Sequence, residues 1–248
     1  MESLVEAVAA GDVDAVAALL GEGLPADSRH EGSTALYRAA VTGEAQLAEL
    51  LLVAGADPDL RSGGESEGTP LCAASCWGFD AIVQALLAHG ANPNLAEDDS
   101  WTPLRWAAAH GHADIVRTLL AAGADPDLRA PIGDAARRGS LAAVRTLLEY
   151  GANPDEPDLE GSTALELAKR WIGRDVEGEL VARVELLVGT LEHGRRGGEI
   201  SVTRNPRPDG TELVSVRAVF PDGAETGSEV ETGHERIVQL LRSRRLPE

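Results

Sequence analysis

From the N-terminus to about residue 194, apolar residues recur at helical spacing in short bursts broken by glycine. In the stretch ADIVRTLLA (113–121), Ile115, Val116, Leu119 and Leu120 share one side of a helix. The same stripe ends in a Leu pair at Leu51-Leu52, Leu86-Leu87 and Leu147-Leu148. A glycine such as Gly123 then follows, and its tolerance of the left-handed conformation ends the helix. A shorter helix signal precedes each stripe. Thr or Ser caps the free N–H groups, Pro is tolerated in the first turn, and paired Ala residues (Ala39-Ala40, Ala107-Ala108, Ala135-Ala136) allow close helix approach. Gly78 and Gly111 break the chain so that the second helix returns antiparallel. The pattern predicts a series of helix pairs.

The period changes beyond residue 194. RRGGE (195–199) reads as a linker, and EISVTR (199–204) alternates with Ile200 and Val202 on one face. NPRPDG (205–210) is a loop signal. ELVSVRAVF (212–220) reads as a strand with Val214, Val216, Ala218 and Phe220 on one face. Pro221 to Gly223 turns the chain again. HERIVQLLRS (234–243) predicts an amphipathic helix with Ile237, Leu240 and Leu241 inward, and with Arg242, Arg244 and Arg245 suited to its C-terminal end.

Two motifs repeat in phase. GADPD (55–59), GANPN (90–94), GADPD (123–127) and GANPD (151–155) have leading glycines 35, 33 and 28 residues apart, and a weaker copy at Leu19-Leu20 and Gly23 lies 32 residues before Gly55. The second motif reads TALYRAAVTG from Thr34, TPLCAASCWG from Thr69, TPLRWAAAHG from Thr102, APIGDAARRG from Ala130 and TALELAKRW from Thr163. These strings resemble the ankyrin repeat, with its T-P-L-H-x-A core at a period of about 33 residues. The resemblance covers roughly Met1 to Gly194 and gives six units. The first lacks the Thr-Pro-Leu box. The sixth runs from Thr163 through Leu186-Leu187, with an insertion around Ile172 to Gly178. The expected fold is mainly α: an ankyrin-repeat solenoid of about six helix-pair repeats (1–194), followed by a small β-hairpin-plus-helix C-terminal extension (195–248) of two strands and a helix. No single repeat buries enough apolar surface to fold alone, so stacking supplies the core.

Charge and composition narrow the function classes. Lys plus Arg number 22 against 41 Asp plus Glu, a net charge of −19 that disfavours nucleic acid as a partner. No run approaches 18 uninterrupted apolar residues, and the acidic N-terminal stretch lacks the basic start of a secretory signal. Two cysteines in this length are no disulfide framework, which points to a reducing, cytoplasmic setting. Alanine richness and Lys169 as the one lysine suggest a high-GC bacterial gene.

The resemblance implies a concave binding face, built from hairpin tips and the exposed side of each first helix. The two residues before each mid-repeat glycine then look into it: Val41 and Thr42, Cys76 and Trp77, Ala109 and His110, Arg137 and Arg138, and, in the sixth unit, Arg170 and Trp171. The residue before the Thr box joins them as Ser33, Gly68, Trp101 and Ser162. Trp106, Arg105 and Tyr37 lie in the same first helices. Aromatics are only 3% of the chain, so tryptophans clustered at these positions read as anchors for a bound partner. Filling gaps between small Ala residues is the competing reading for any one of them. The 28-residue step shortens the hairpin tip between Asp127 and Pro131, which reads equally as a notch in the groove wall beside Arg137 and Arg138 or as harmless degeneration of one repeat. His89 and His112 suit a structural role in the repeats, and His193 and His234 have no evident partners. Cys72 and Cys76 stand four apart on a helix, but nothing completes a metal site, and no cofactor is implied.

No phosphate-binding, nucleophile-elbow or zinc-protease motif is present in the sequence. The leading expectation is a non-catalytic scaffold that recognises a protein partner through a Trp/Arg-rich concave groove. A different class stays open if the extension closes over that groove. It would then be a small-molecule binder, or an enzyme of dehydration or cyclisation type on a hydrophobic metabolite, with His110 as acid or base and Arg105 or Arg138 stabilising negative charge. The extension itself is expected to dock on the end of the stack as a cap, with covering of the groove, or a homodimer formed by strand pairing, as the other readings.

Overall fold

The computed structural model describes residues 3–63, 68–97, 100–191, 199–220 and 225–243. Five helix pairs follow one another: α1 (Leu4–Ala9) with α2 (Val13–Gly21), α3 (Ala35–Thr42) with α4 (Ala45–Val53), α5 (Pro70–Trp77) with α6 (Asp80–Ala88), α7 (Pro103–His110) with α8 (Ala113–Ala121), and α9 (Pro131–Arg138) with α10 (Leu141–Glu149). A short hairpin, β1 (Arg29–His30) and β2 (Ser33–Thr34), precedes α3. α11 (Ala164–Lys169) and α12 (Val176–Leu191) come next.

Local chemistry explains the starts and stops. The hydroxyls of Thr34, Thr69, Thr102 and Thr163 accept the N–H of the residue three places on, at 3.1 to 3.4 Å. Each such cap stabilises its helix by about 1 kcal/mol. Gly43, Gly78, Gly111 and Gly139 end the first helices at φ between 75° and 82°, a region costly for any residue with a side chain. Asp and Asn of the GADPD-type strings tie neighbouring units together. Asp59 Oδ1 accepts from the Asn92 N–H at 3.0 Å, Asn94 Oδ1 from Asp125 at 2.8 Å and Asp127 Oδ1 from Asn153 at 2.6 Å. Between Asp127 and Pro131 the chain turns through Arg129 and Ala130, both left-handed, and α9 starts without a side-chain cap.

The first helices α1, α3, α5, α7, α9 and α11 pack in sequence as one row, and α2, α4, α6, α8 and α10 as a second. Ala39, Ala74, Ala107, Ala135 and Ala168 are fully buried within the first row, where the absence of bulk permits close approach.

The C-terminal part departs from expectation in two ways. The sheet has three antiparallel strands, β3 (Glu199–Pro206), β4 (Glu212–Val219) and β5 (Glu225–Glu231), in the order β3-β4-β5, where two strands were expected. The added strand, ETGSEVE, carries one large apolar residue, Val230, so it had no readable alternation. In addition, α12 does not complete the sixth unit as expected. It packs on the sheet, where Leu180 and Val184 form a small core with Val214, Val216, Ala218 and Val230. Leu186, half of the expected closing Leu pair, is 70% exposed, and the Leu187 side chain lies outside the described residues. Instead α13 (His234–Ser243) lies against α11, with α10 and α9 beside it. Its Ile237, Val238 and Leu241 join the core of the helix pairs, and Leu240 is only partly buried. His193, the linker 195–198, the turn 221–223, Arg244 and Arg245 lie outside the described residues.

Candidate partner-binding groove

The C-terminal ends of α5, α7 and α9 present their last two residues side by side, because these three helices have the same length and stop at the same kind of glycine. Trp77 is 60% exposed there. An aromatic row runs along α7: the Trp101 and Trp106 rings stack at 4.2 Å, Trp106 meets His110 at 5.7 Å, and His110 meets His112 at 6.1 Å. All four residues are partly buried.

Polar partners hold this row in place. Trp106 Nε1 donates to Glu97 Oε2 at 3.1 Å, and the other Glu97 oxygen accepts the Thr69 N–H at 2.6 Å. Glu97 therefore clamps the fourth unit to the third. Its charge adds to the effect of burial in pushing the Tyr37 phenol up. His110 Nδ1 lies 3.0 Å from the Trp106 carbonyl, which can only accept, so that nitrogen carries the proton. Its Nε2 then faces the Cys76 sulfur at 4.0 Å as an acceptor. Burial and the Glu97 charge push the Cys76 thiol up to about 11, so it stays neutral and donates. Cys72 is buried, its thiol pushed up chiefly by burial.

The arginines expected in the groove are committed elsewhere. Arg105 is 8% exposed, and its Nε donates to Asp134 Oδ2 at 2.7 Å while its guanidinium covers the Trp101 ring at 4.0 Å. Burial pushes the Asp134 carboxyl up, against the pull of Arg105. Arg137 pairs with Asp158 at 2.9 Å and lies 3.5 Å from Asp134. Arg138 donates to the Glu229 carbonyl and carboxylate, each at 2.5 Å. Burial opposes ionisation of Glu229, but Arg138 and Ser215 outweigh it and hold the carboxyl below its usual range. Arg105 and Arg138 thus do not stand free to stabilise charge on a substrate. Arg170 is exposed and donates to the Ser162 hydroxyl at 2.8 Å. Thr42 is exposed and returns its hydroxyl proton to the Arg38 carbonyl at 2.9 Å within its own helix.

Trp171 is also displaced from the expected strip. Its ring stacks on His234 at 5.4 Å, lies under Arg174 at 5.0 Å, and packs against the core of the sheet and α12. His234, expected to lack a partner, is 3% exposed, and its Nε2 donates to the Arg137 carbonyl at 3.1 Å.

The sheet stands over part of the groove. A cavity of about 430 Å³ separates Cys76, Trp77, His110 and His112 from β4 and β5, which contribute Ser215, Arg217, Gly227 and Ser228. A second cavity, of about 420 Å³, lies between the turns at Gly78 and Gly111 and the β3–β4 loop at Arg207 to Asp209.

Sequence reasoning missed Glu97, Asp134, Glu229 and Glu231. Asp134 had a signal: it occupies the fifth position of the repeated box, where Arg38, Ala73, Trp106 and Leu167 stand in the other copies.

Residues 43–130 match the sequence model of ankyrin repeats, in three copies. That stretch of the chain is built of ankyrin repeats. A Treponema pallidum (strain Nichols) protein described as ankyrin repeat-containing is 38% identical over 93 residues, which are 37% of this chain. The match spans 30% of that protein's length. Among the described residues, no helix of this ankyrin-repeat chain is long and apolar enough to cross a membrane.

Proposed function

We propose that this chain is a scaffold without chemistry of its own that recognises a protein partner through the concave face of its ankyrin repeats. Ankyrin repeats generally mediate protein–protein binding, and this chain carries them. The reading rests on one observation: Trp77 at the end of α5 and the row Trp101, Trp106 and His110 along the neighbouring α7 lie on adjacent units, with Trp77 exposed although it fills no core. Large aromatics of this kind supply most of the energy of a protein interface. The arginines serve a different role in this reading, holding the wall rigid through Asp134, Asp158 and Glu229, which lowers the ordering cost of binding. We count six repeats. We further infer a reducing, cytoplasmic setting that keeps Cys72 and Cys76 as free thiols, and a bacterial source in keeping with the Treponema relative.

The test uses Trp77→Ala and Trp101→Ala. A protein retained by the wild-type chain from extracts is purified and titrated against both variants. A loss of tenfold or more in affinity for Trp77→Ala, with melting unchanged, supports the groove. Undiminished binding by two folded variants rejects it.

A further inference from the structure

The first helices of the regular units are eight residues long and follow a fixed count: Thr34 to Gly43, Thr69 to Gly78, Thr102 to Gly111 and Ala130 to Gly139 are each nine steps. The same count from Thr163 reaches Ile172, where no glycine stands. The chain then wanders through α12 and the sheet until Gly233. There it reads GHERIVQLL, against GHADIVRTLL from Gly111. The agreement extends to geometry. His112 Nε2 donates to the Cys76 carbonyl at 3.1 Å, and Cys76 lies two residues before the glycine of the preceding unit. His234 Nε2 donates to the Arg137 carbonyl at the same 3.1 Å, and Arg137 lies two residues before Gly139. Ile237, Val238 and Leu241 bury at the spacing of Ile115, Val116 and Leu119. α13 pairs with α11 and sits beside α10, the place of a second helix.

We propose that α11 and α13 are the two helices of one split sixth repeat, and that segment 172–232 is an insertion at its turn, folded back onto the groove as an intramolecular occupant. The division of the chain is then repeats 1–171 with 233–248, and insertion 172–232. The occupancy is built from three contacts. Arg138 grips Glu229 through carbonyl and carboxylate. Glu231 is 4% exposed and lies against the glycine turns at Gly111 and Gly139, its carboxyl pushed up by burial. The Gly233 N–H donates to the Gly139 carbonyl at 3.0 Å. The inserted sheet thereby covers the fifth unit and overhangs Trp77 and His110 across the 430 Å³ cavity. A second helix contributes an apolar stripe that the stack cannot do without, so α13 belongs to the cooperative core, whereas the sheet has its own small core on α12.

The clause about the groove rests on the proposed function; the split repeat does not, and folding measurements read it without any partner. Excising 172–232 joins Trp171 to Gly233 and restores the nine-step count. The expected product is helical, unfolds cooperatively and melts within a few degrees of the whole chain. Truncation after Trp171 removes α13 and lowers the melting temperature by more than 10 °C. An excision variant as unstable as the truncation overturns the proposal, and exchange in the intact chain guards against a poor junction. Amides of α13 are expected to exchange together with those of α9 and α10, and more slowly than those of β3 to β5; α13 exchanging with the sheet overturns it equally. For the occupancy, Arg138→Ala in the intact chain is expected to raise proteolytic cleavage within 199–231 at least fivefold while leaving the helical melt in place. Unchanged cleavage refutes the docking.

Discussion

Replacing Asp134 by Ala tests whether the buried pair beneath the aromatic row is a structural strut. Asp134 and Arg105 are 6% and 8% exposed, and their closest atoms are 2.7 Å apart. Removing the carboxylate leaves the guanidinium inside the stack with the Ser100 carbonyl as its remaining hydrogen-bond acceptor, at 3.2 Å. Breaking one side of a buried pair costs about 3–5 kcal/mol, because the surviving charge is desolvated without compensation. Arg137, 3.5 Å from Asp134 but 44% exposed, adds little. For a chain of this size the loss corresponds to a fall of about 6–20 °C in melting temperature. Urea unfolding followed by far-ultraviolet circular dichroism gives the midpoint and slope. Tryptophan fluorescence reports locally, since Arg105 lies 4.0 Å over the Trp101 ring. The double variant Arg105→Met/Asp134→Leu removes both charges and is expected to recover most of the loss. A single-variant loss under 1 kcal/mol at unchanged slope would refute the reasoning, as would a double variant no better than Asp134→Ala.

Leu241→Ala in α13 should cost about 2–5 kcal/mol, whereas Leu186→Ala, at a side chain 70% exposed, should stay within about 0.5 kcal/mol in the same denaturation assay. Burial lowers the pKa of His112 and His234, each against a carbonyl bond that raises it, so the unfolded chain binds protons more tightly. Their contribution is complete above the ordinary histidine value of about 6.5 and is lost as pH falls below it, so the His112→Asn/His234→Asn variant should show a flatter loss of stability between about pH 6.5 and 5.5. Gly123→Ala meets open space and should cost only the left-handed strain of about 1–2 kcal/mol; Gly139→Ala, whose new methyl falls on the Glu231 carbonyl, should cost more and speed proteolysis of the sheet.

The repeats were legible because their signals are local. A threonine three residues ahead of the N–H it caps, a glycine at positive φ and a stripe at 3.6-residue spacing act within one or two turns. Trp77 and His110 followed directly from that phase. Arg105 did not, because its counter-ion Asp134 is 29 residues away and becomes a neighbour only when repeats stack. The same count puts Trp171 in the groove, but its ring stacks on His234 and packs against the core of the sheet and α12. β5 was invisible because one side of it rests on a small core and the other on the glycine turns, so neither demanded a regular row of apolar residues. In α13 the string GHERIVQLL is similar to GHADIVRTLL from Gly111, but a long stretch without the period separates it from the other copies.

Composition and periodicity by themselves determined that the repeats form helix pairs, where the Thr-capped first helices begin and the glycine-ended ones stop, and which side of a second helix is apolar, since capping, backbone strain and amphipathic spacing need no distant partner. Tertiary structure alone decided that α13 packs beside α11, which arginines are spent on carboxylates, and that a sheet leans over Trp77. Those outcomes depend on contacts between residues as far apart as Arg138 and Glu229, and burial of charge and apolar area is settled only when such segments meet.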